Sequence, residues 1–138
     1  MSLVFLLDTN ILSEPTRQSP NTQIIKKIIQ YQYQIALAAP VYYELLTGSR
    51  RLPQSKRRDK LETYLNEFIS TLPVLPYGDK AADWHSAEQV RLSNKGLAPA
   101  FIDSQIAAIA ATNRLIMVTR NVEDFQHFSG LDVENWFC

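Results

Sequence analysis

The sequence predicts an α/β fold, a three-layer α/β/α sandwich around a central parallel sheet, and three observations carry that expectation. Short apolar runs at 3–7, 35–39 and 115–118 have the composition of strands buried on both faces. Helical patterns lie between them, and strands that alternate with helices pair in parallel through right-handed crossovers, with helices on both faces of the sheet. The 138 residues are 46% hydrophobic and 20% charged, enough apolar side chain for one core. No repeat, low-complexity tract or Gly/Ser linker divides them, so one domain over 1–138 is expected.

Each element has its own signal. The run at 3–7 stops at Asp8 with no basic segment before it, so it is too short for a signal-peptide core or a membrane span and reads as the first strand. Residues 22–31 carry Ile24, Ile25, Ile28 and Ile29 at helical spacing. A helix over 40–49 follows the second strand, with Pro40 in its first turn and Gly48 near its end. The spacing of Leu61, Leu65, Phe68 and Ile69 predicts a longer helix over 54–71, and another runs over 79–95 to Gly96. Helix 102–113 leads into the strand at 115–118, while Val74-Leu75 and the segment around Val133 are weaker strand candidates.

Fourteen Lys and Arg against fourteen Asp and Glu give zero formal net charge, so a nucleic-acid partner must be held by local patches rather than by a cationic body. Cys138 is the one cysteine, which excludes an intrachain disulfide and a cysteine-based zinc site. The expected compartment is the cytoplasm, without membrane association.

Ligands of open α/β sheets bind beyond the carboxyl ends of the strands, where loops and helix N-termini converge. Two such ends carry polar triplets: Asp8-Thr9-Asn10 after the first strand and Thr119-Arg120-Asn121 after the strand at 115–118. Glu44 lies one turn inside the helix after the second strand, and Asp103 opens a helix of small residues. Taken singly, Asp8 and Asp103 also read as helix N-caps and Glu44 as the polar edge of an amphipathic helix. Taken together they converge on one end of one sheet, where two carboxylates about 4 Å apart repel by about 4 kcal/mol at an effective dielectric near 20. A divalent cation offsets such a cost. An all-oxygen donor set suits Mg²⁺ or Mn²⁺, and His85 and His127 are isolated in sequence, so no histidine pair suggests zinc.

Four motifs in this order resemble the PIN domain of VapC-type toxins: residues 7–14 around Asp8-Thr9-Asn10, then 44–48 beginning at Glu44, then 103–108 beginning at Asp103, then 118–121 with Asp124-Phe125. The resemblance runs from Leu3 almost to the C-terminus. It implies a metal-dependent ribonuclease using Mg²⁺ or Mn²⁺, a homodimer, and a small VapB-like antitoxin that blocks the site. Asp8, Glu44 and Asp103 match the family's core acids and its metal ligands, Thr9 and Thr119 its hydroxyl positions, and Asn10 its first-motif asparagine. Many members have Asp where Asn121 stands; Asn lacks the charge that holds a second cation, so the two-metal form of the mechanism is open. Asn121, at the start of a helix after Val118, is favoured as the fourth site position, with Thr119 as a positioning group. Asp124, a helical turn further on, is assigned to capping.

Arg50, Arg51, Lys56, Arg57, Arg58 and Lys60 gather in one segment. They read either as a solvated helix face or as a phosphate track, with Arg17 and Arg120 as further RNA contacts or, for Arg120, a counter-ion. Tyr42, Tyr43, Trp84 and Trp136 are candidates for stacking on bases or for the core. Two other readings stay open at this point. A haloacid-dehalogenase-type phosphohydrolase also places Asp after its first strand, but has a second acid where Asn10 stands. A catalytically weak PIN-like module would bind RNA or protein without cutting.

Overall fold

The computed structural model describes residues 2–138. Strand β1 (Phe5–Leu7) is followed by a single helical turn, α1 (Thr9–Leu12), and by helix α2 (Thr22–Gln30). Strand β2 (Ile35–Ala38) feeds α3 (Ala39–Arg50) and α4 (Lys56–Glu67). Strand β3 (Val74–Leu75), helices α5 (Asp79–Asn94) and α6 (Phe101–Thr112), strand β4 (Ile116–Val118) and strand β5 (Val133–Glu134) complete the order.

All five strands are parallel, in the spatial order β3-β2-β1-β4-β5. The chain builds outward from β1 to β3, then crosses back to lay β4 on the other side of β1. That reversal makes the carboxyl ends of β1 and β4 a topological switch point, where helices leave in opposite directions and open a crevice. Right-handed crossovers put the helices leading to β2 and β3 on one face and α5 and α6 on the other. The sheet's middle is sealed: Leu6, Leu7, Ile35, Ala36, Leu37, Met117 and Val118 are fully buried. Helix α6 packs closely because its buried face is Ser104, Ala107, Ala108 and Ala110 with Ile106 and Ile109.

The helix expected over 54–71 is shorter and broken. Ser55 caps its start, accepting from the Arg58 N–H, and α4 ends at its C-cap Phe68, at φ −111°, ψ −60°. A 3-10 turn, Ile69–Thr71, follows, and it drops Ile69 into the core. Ser70 and Thr71 donate their hydroxyls to the Asn66 and Phe68 carbonyls, a side-chain competition that favours turns over helix continuation. Gly96, at φ 75°, ends α5 as expected, and the Leu97 N–H closes back on the Leu92 carbonyl. Trp136 is a core residue and not a stacking platform: it is buried against Phe5 and Tyr31. Among the described residues no helix is long and apolar enough to cross a membrane.

Candidate active site

The crevice beyond β1 and β4 holds the polar triplets in one hydrogen-bonded unit. Asp8 leaves β1 in extended geometry and caps α1; its Oδ1 accepts from the Thr9 N–H at 2.8 Å and its Oδ2 accepts from the Thr119 hydroxyl at 2.8 Å. Thr119 is fully buried, and its oxygen also accepts from the Asn121 N–H at 3.1 Å and from Asn10 Nδ2 at 3.4 Å. That oxygen has no capacity left for substrate, so Thr119 orients Asp8 and does not itself reach the cleft. Asn10 Oδ1 accepts from the Arg120 N–H at 3.0 Å, which closes the link between the two strand ends. With its amide committed at both ends, Asn10 is a strut and offers no acid at the position the phosphohydrolase reading needs.

Glu44 reaches this unit from α3. The Thr9 hydroxyl donates to its Oε2 at 3.1 Å, so one residue holds two different acids, Asp8 through its N–H and Glu44 through its hydroxyl. Asp103 lies in the first turn of α6, where Ala100 and not Asp103 is the capping residue. Asp8, Glu44 and Asp103 all titrate above their ordinary values, each chiefly because burial disfavours the charged form. Neighbouring charge adds to this. Asp103 is pushed up to about 6 by burial and then by Asp8, Asp124 and Glu44. Hydrogen bonds from Thr119 and Thr9 partly relieve Asp8, and the Thr9 bond relieves Glu44.

Asp124 lies in the first turn of the segment after β4, as expected, and its charge also bears on this cluster. The segment after β4 forms a 3-10 turn, Val122–Asp124, and not an α-helix. Asn121 is the N-cap of that turn and Asp124 its last residue. Its charge bears on Asp8 and Asp103, and it lines one cavity with Asp103. The signal in the sequence was Phe125, whose full burial anchors the turn four residues after Asn121. Among the described residues, the ion pairs are Arg17 with Glu14, Arg58 with Glu62 and Arg91 with Glu88, so none of these four acids has a basic partner within the chain.

The basic segment lies elsewhere. Arg50 is six residues beyond Glu44 on α3, about 9 Å along the axis. With Arg58 it lines a separate cleft containing Ser49, Glu62 and Asn66. Arg58 is committed to Glu62 at 2.7 Å and to the Leu52 carbonyl at 3.0 Å, which makes it a brace between α3 and α4 rather than a free phosphate contact. Arg51, Lys56, Arg57 and Lys60 are exposed. Arg17 pairs with buried Glu14. Arg120 is the basic side chain that lines a cleft together with Asn121 and Asp124.

A model of the PIN domain matches residues 5–131 of the chain. The chain belongs to the PIN domain family. It is 26% identical over 135 residues to ribonuclease VapC2 of Rickettsia felis, covering 97% of this chain and 98% of the relative. It is 31% identical over 136 residues to the plasmid stability protein StbB of Pseudomonas syringae pv. tomato, covering 96% and 97%. The crystal structure of DNA-bound VapBC from Salmonella typhimurium superposes with a TM-score of 0.83 at 27% identity over 97% of this PIN domain and 98% of that chain. The VapC-type relationship extends over nearly the whole chain and its fold.

Proposed function

We propose that this PIN domain is the toxin of a toxin-antitoxin pair and cuts RNA by hydrolysis at the Asp8, Glu44, Asp103 and Asp124 crevice. The observation that carries the reading is that four acids, from the ends of β1 and β4 and from α3 and α6, bear on one another's charge and, among the described residues, none of them forms an ion pair. Family membership places a ribonuclease among its relatives.

Among the described residues no three acidic, histidine or cysteine groups already stand close enough to grip a metal ion. The donor set nonetheless fits a hard divalent cation: the groups are all oxygen, they repel one another, and Asp103 lacks a hydrogen-bond partner that would compete for it. Asp8, Asp103 and Asp124 would hold Mg²⁺ or Mn²⁺, with Glu44 contributing directly or through water. Bound there, the cation supplies charge stabilisation and an acidified water. The chain's own part is to fix the acids. Thr119 and the Thr9 N–H lock the Asp8 rotamer, the Thr9 hydroxyl holds Glu44, Asn10 ties the β4 loop to α1, and the Asn121 N–H holds the Thr119 hydroxyl. Water attacks phosphorus in line and the 3′ oxygen leaves, which yields a 5′-phosphate and a 3′-hydroxyl.

Two partners belong to the same proposal. A small antitoxin would cover the crevice, in keeping with the VapBC complex of the similar Salmonella structure. A second copy of the chain would cover an apolar groove beside Glu44, where Tyr43 and Ile102 are 67% and 46% exposed and Pro40, Pro76 and Tyr77 form the walls. Sedimentation at micromolar concentration is expected to give a dimer that Tyr43→Glu converts to monomer.

The test of the reading is direct. Purified chain is incubated with a mixed single-stranded RNA pool in Mg²⁺, in EDTA, and as Asp8→Asn in Mg²⁺. Cleavage is expected in the first condition alone; equal cleavage in all three, or none in any, refutes it. Calorimetry then separates the two fourth-position candidates. Asp124→Asn is expected to weaken Mg²⁺ about tenfold, the scale of one lost charge-assisted contact, while Asn121→Ala changes affinity less than twofold.

A further inference from the structure

We propose that Arg120 binds a phosphate of the RNA strand adjoining the phosphate that is cut, and that Phe137 is the residue that positions it. The proposal rests on the ribonuclease reading above. Its central observation, the Arg120 guanidinium over the Phe137 ring, does not depend on the acids.

Arg120 is fastened at both ends. Its backbone N–H is held by Asn10 Oδ1 at 3.0 Å, which ties its Cα to the crevice that contains Asp8. Its guanidinium lies over the Phe137 ring, with Cζ 4.5 Å from the ring centroid. Phe137 is held in turn: its side chain packs partly buried against the core, its neighbour Trp136 is buried, and its backbone N–H donates to Asn135 Oδ1 at 2.9 Å. A long exposed arginine normally spends its rotamer freedom when it binds. Here an aromatic face has already taken that freedom away, and it leaves the planar edge of N–H donors unobstructed.

The charge is not used inside the chain. Glu123 and Asp124 line the same cleft of about 350 Å³ as Arg120, yet among the described residues Arg120 forms no ion pair and its side chain donates no hydrogen bond. A free guanidinium beside two acids, held by an uncharged ring rather than by those acids, matches a site for an anion that arrives from outside. An RNA strand must pass a crevice whose carboxylates repel it, so a cation at the rim is required on physical grounds. The cleft shares Glu123 and Asp124 with the cavity that contains Asp103, so a strand lying in one is continuous with the other. A fork of donors suits the bidentate geometry of a phosphodiester.

The test is binding of a fluorescent 12-nucleotide single-stranded RNA in EDTA, read by anisotropy between 50 and 300 mM NaCl. Removing one phosphate contact on a single strand is expected to lower the slope of log K against log salt by about 0.7, with about tenfold weaker binding at low salt. Arg120→Ala should show both. Phe137→Leu keeps the charge and loosens it, so the RNA KM should rise about threefold at unchanged kcat, and Phe137→Trp should restore the parent value. Melting temperatures within 2 °C of the parent are required of each variant, and Arg120→Ala, at an exposed side chain, carries the test if Phe137→Leu falls outside that range. The proposal is overturned if the parent fails to bind RNA at 50 mM salt, if Arg120→Ala leaves the slope unchanged, or if Phe137→Trp is as impaired as Phe137→Leu. The ribonuclease reading fails separately, if Mg²⁺-supported cleavage is absent in a chain that binds RNA with the expected slope.

Discussion

Asp103→Asn is expected to abolish RNA cleavage, by on the order of a thousandfold, and at the same time to make the metal-free protein more stable at pH 7. The two effects have one origin. Asp103 is half-buried beside Asp8, Asp124 and Glu44, and its carboxyl is held up to about 6. A raised folded-state value means that the proton, and not the charge, favours folding. That stabilisation is complete below the ordinary carboxylate value of 3.8, and it is lost as pH rises through about 6. At pH 7 the charged form is a burden that the amide removes, by about 1 kcal/mol after allowing for solvent screening of a half-exposed group, or ~3 °C in Tm. Thermal melts in EDTA from pH 4 to 7 should therefore converge at the acid end, separate as pH rises from about 4 to 6, and keep a constant gap above that. A variant that loses activity and also melts well below the parent would assign Asp103 to folding rather than to chemistry.

The largest loss of stability is expected far from the crevice, at Glu88. This buried side chain takes both Arg91 Nε and Nη2 at 2.8 Å, and it accepts from the Ser129 N–H at 2.6 Å and the Ser129 hydroxyl at 3.3 Å. Arg91 also donates to the His127 carbonyl at 2.8 Å. One carboxylate thus pins the segment between β4 and β5 onto α5, and with it the turn that presents Asp124. Glu88→Ala strands a guanidinium and a backbone N–H, at a cost of about 3 kcal/mol. That is roughly 10 °C in Tm for a domain of this size. The pH dependence runs opposite to that of Asp103. Hydrogen bonds from Arg91 hold Glu88 down to about 2, so its contribution is present above its ordinary 4.5 and fades as pH falls towards 2. Chemical denaturation at pH 7 should show the loss in Glu88→Ala, and at pH 2 the gap between variant and parent should shrink.

The two acids mark what the sequence could and could not disclose. Asp8 was legible because a strand buried on both faces has to end at a polar residue, and the crossover rules send the carboxyl ends of β1 and β4 to one place. Glu44 and Asp103 followed from the starts of the next helices. For Glu88 the Arg91 pair is local, but its other partner Ser129, and the His127 carbonyl that Arg91 reaches, lie about forty residues away, beyond the reach of local spacing. Asp124 is in the first turn after β4, as its position in the sequence indicates, but the charges that bear on it come from β1 and α6, which local spacing does not disclose. The helix over 54–71 ran too long because apolar spacing continues through Phe68 and Ile69, whereas the side chains of Ser70 and Thr71 take the carbonyls that a helix would use. Of the basic residues, charge alone could not separate Arg58, braced to Glu62, from Arg120, which is left free.

The chemistry at the cut ends tests the central claim most directly. Hydrolysis at an acidic crevice sends water to phosphorus and expels the 3′ oxygen, whereas an enzyme using a pair of histidines would activate the RNA's own 2′-hydroxyl. The histidines here do not form such a pair: His85 is buried with its Nδ1 2.8 Å from the Tyr77 hydroxyl, and exposed His127 stands alone. RNA cut by the purified chain in Mg²⁺ should carry 5′-phosphates that ligate directly to an adapter and 3′-hydroxyls that accept a tail, with both signals absent for Asp8→Asn. Products ending in 2′,3′-cyclic phosphate, at a rate indifferent to EDTA and to Asp8, would contradict the account.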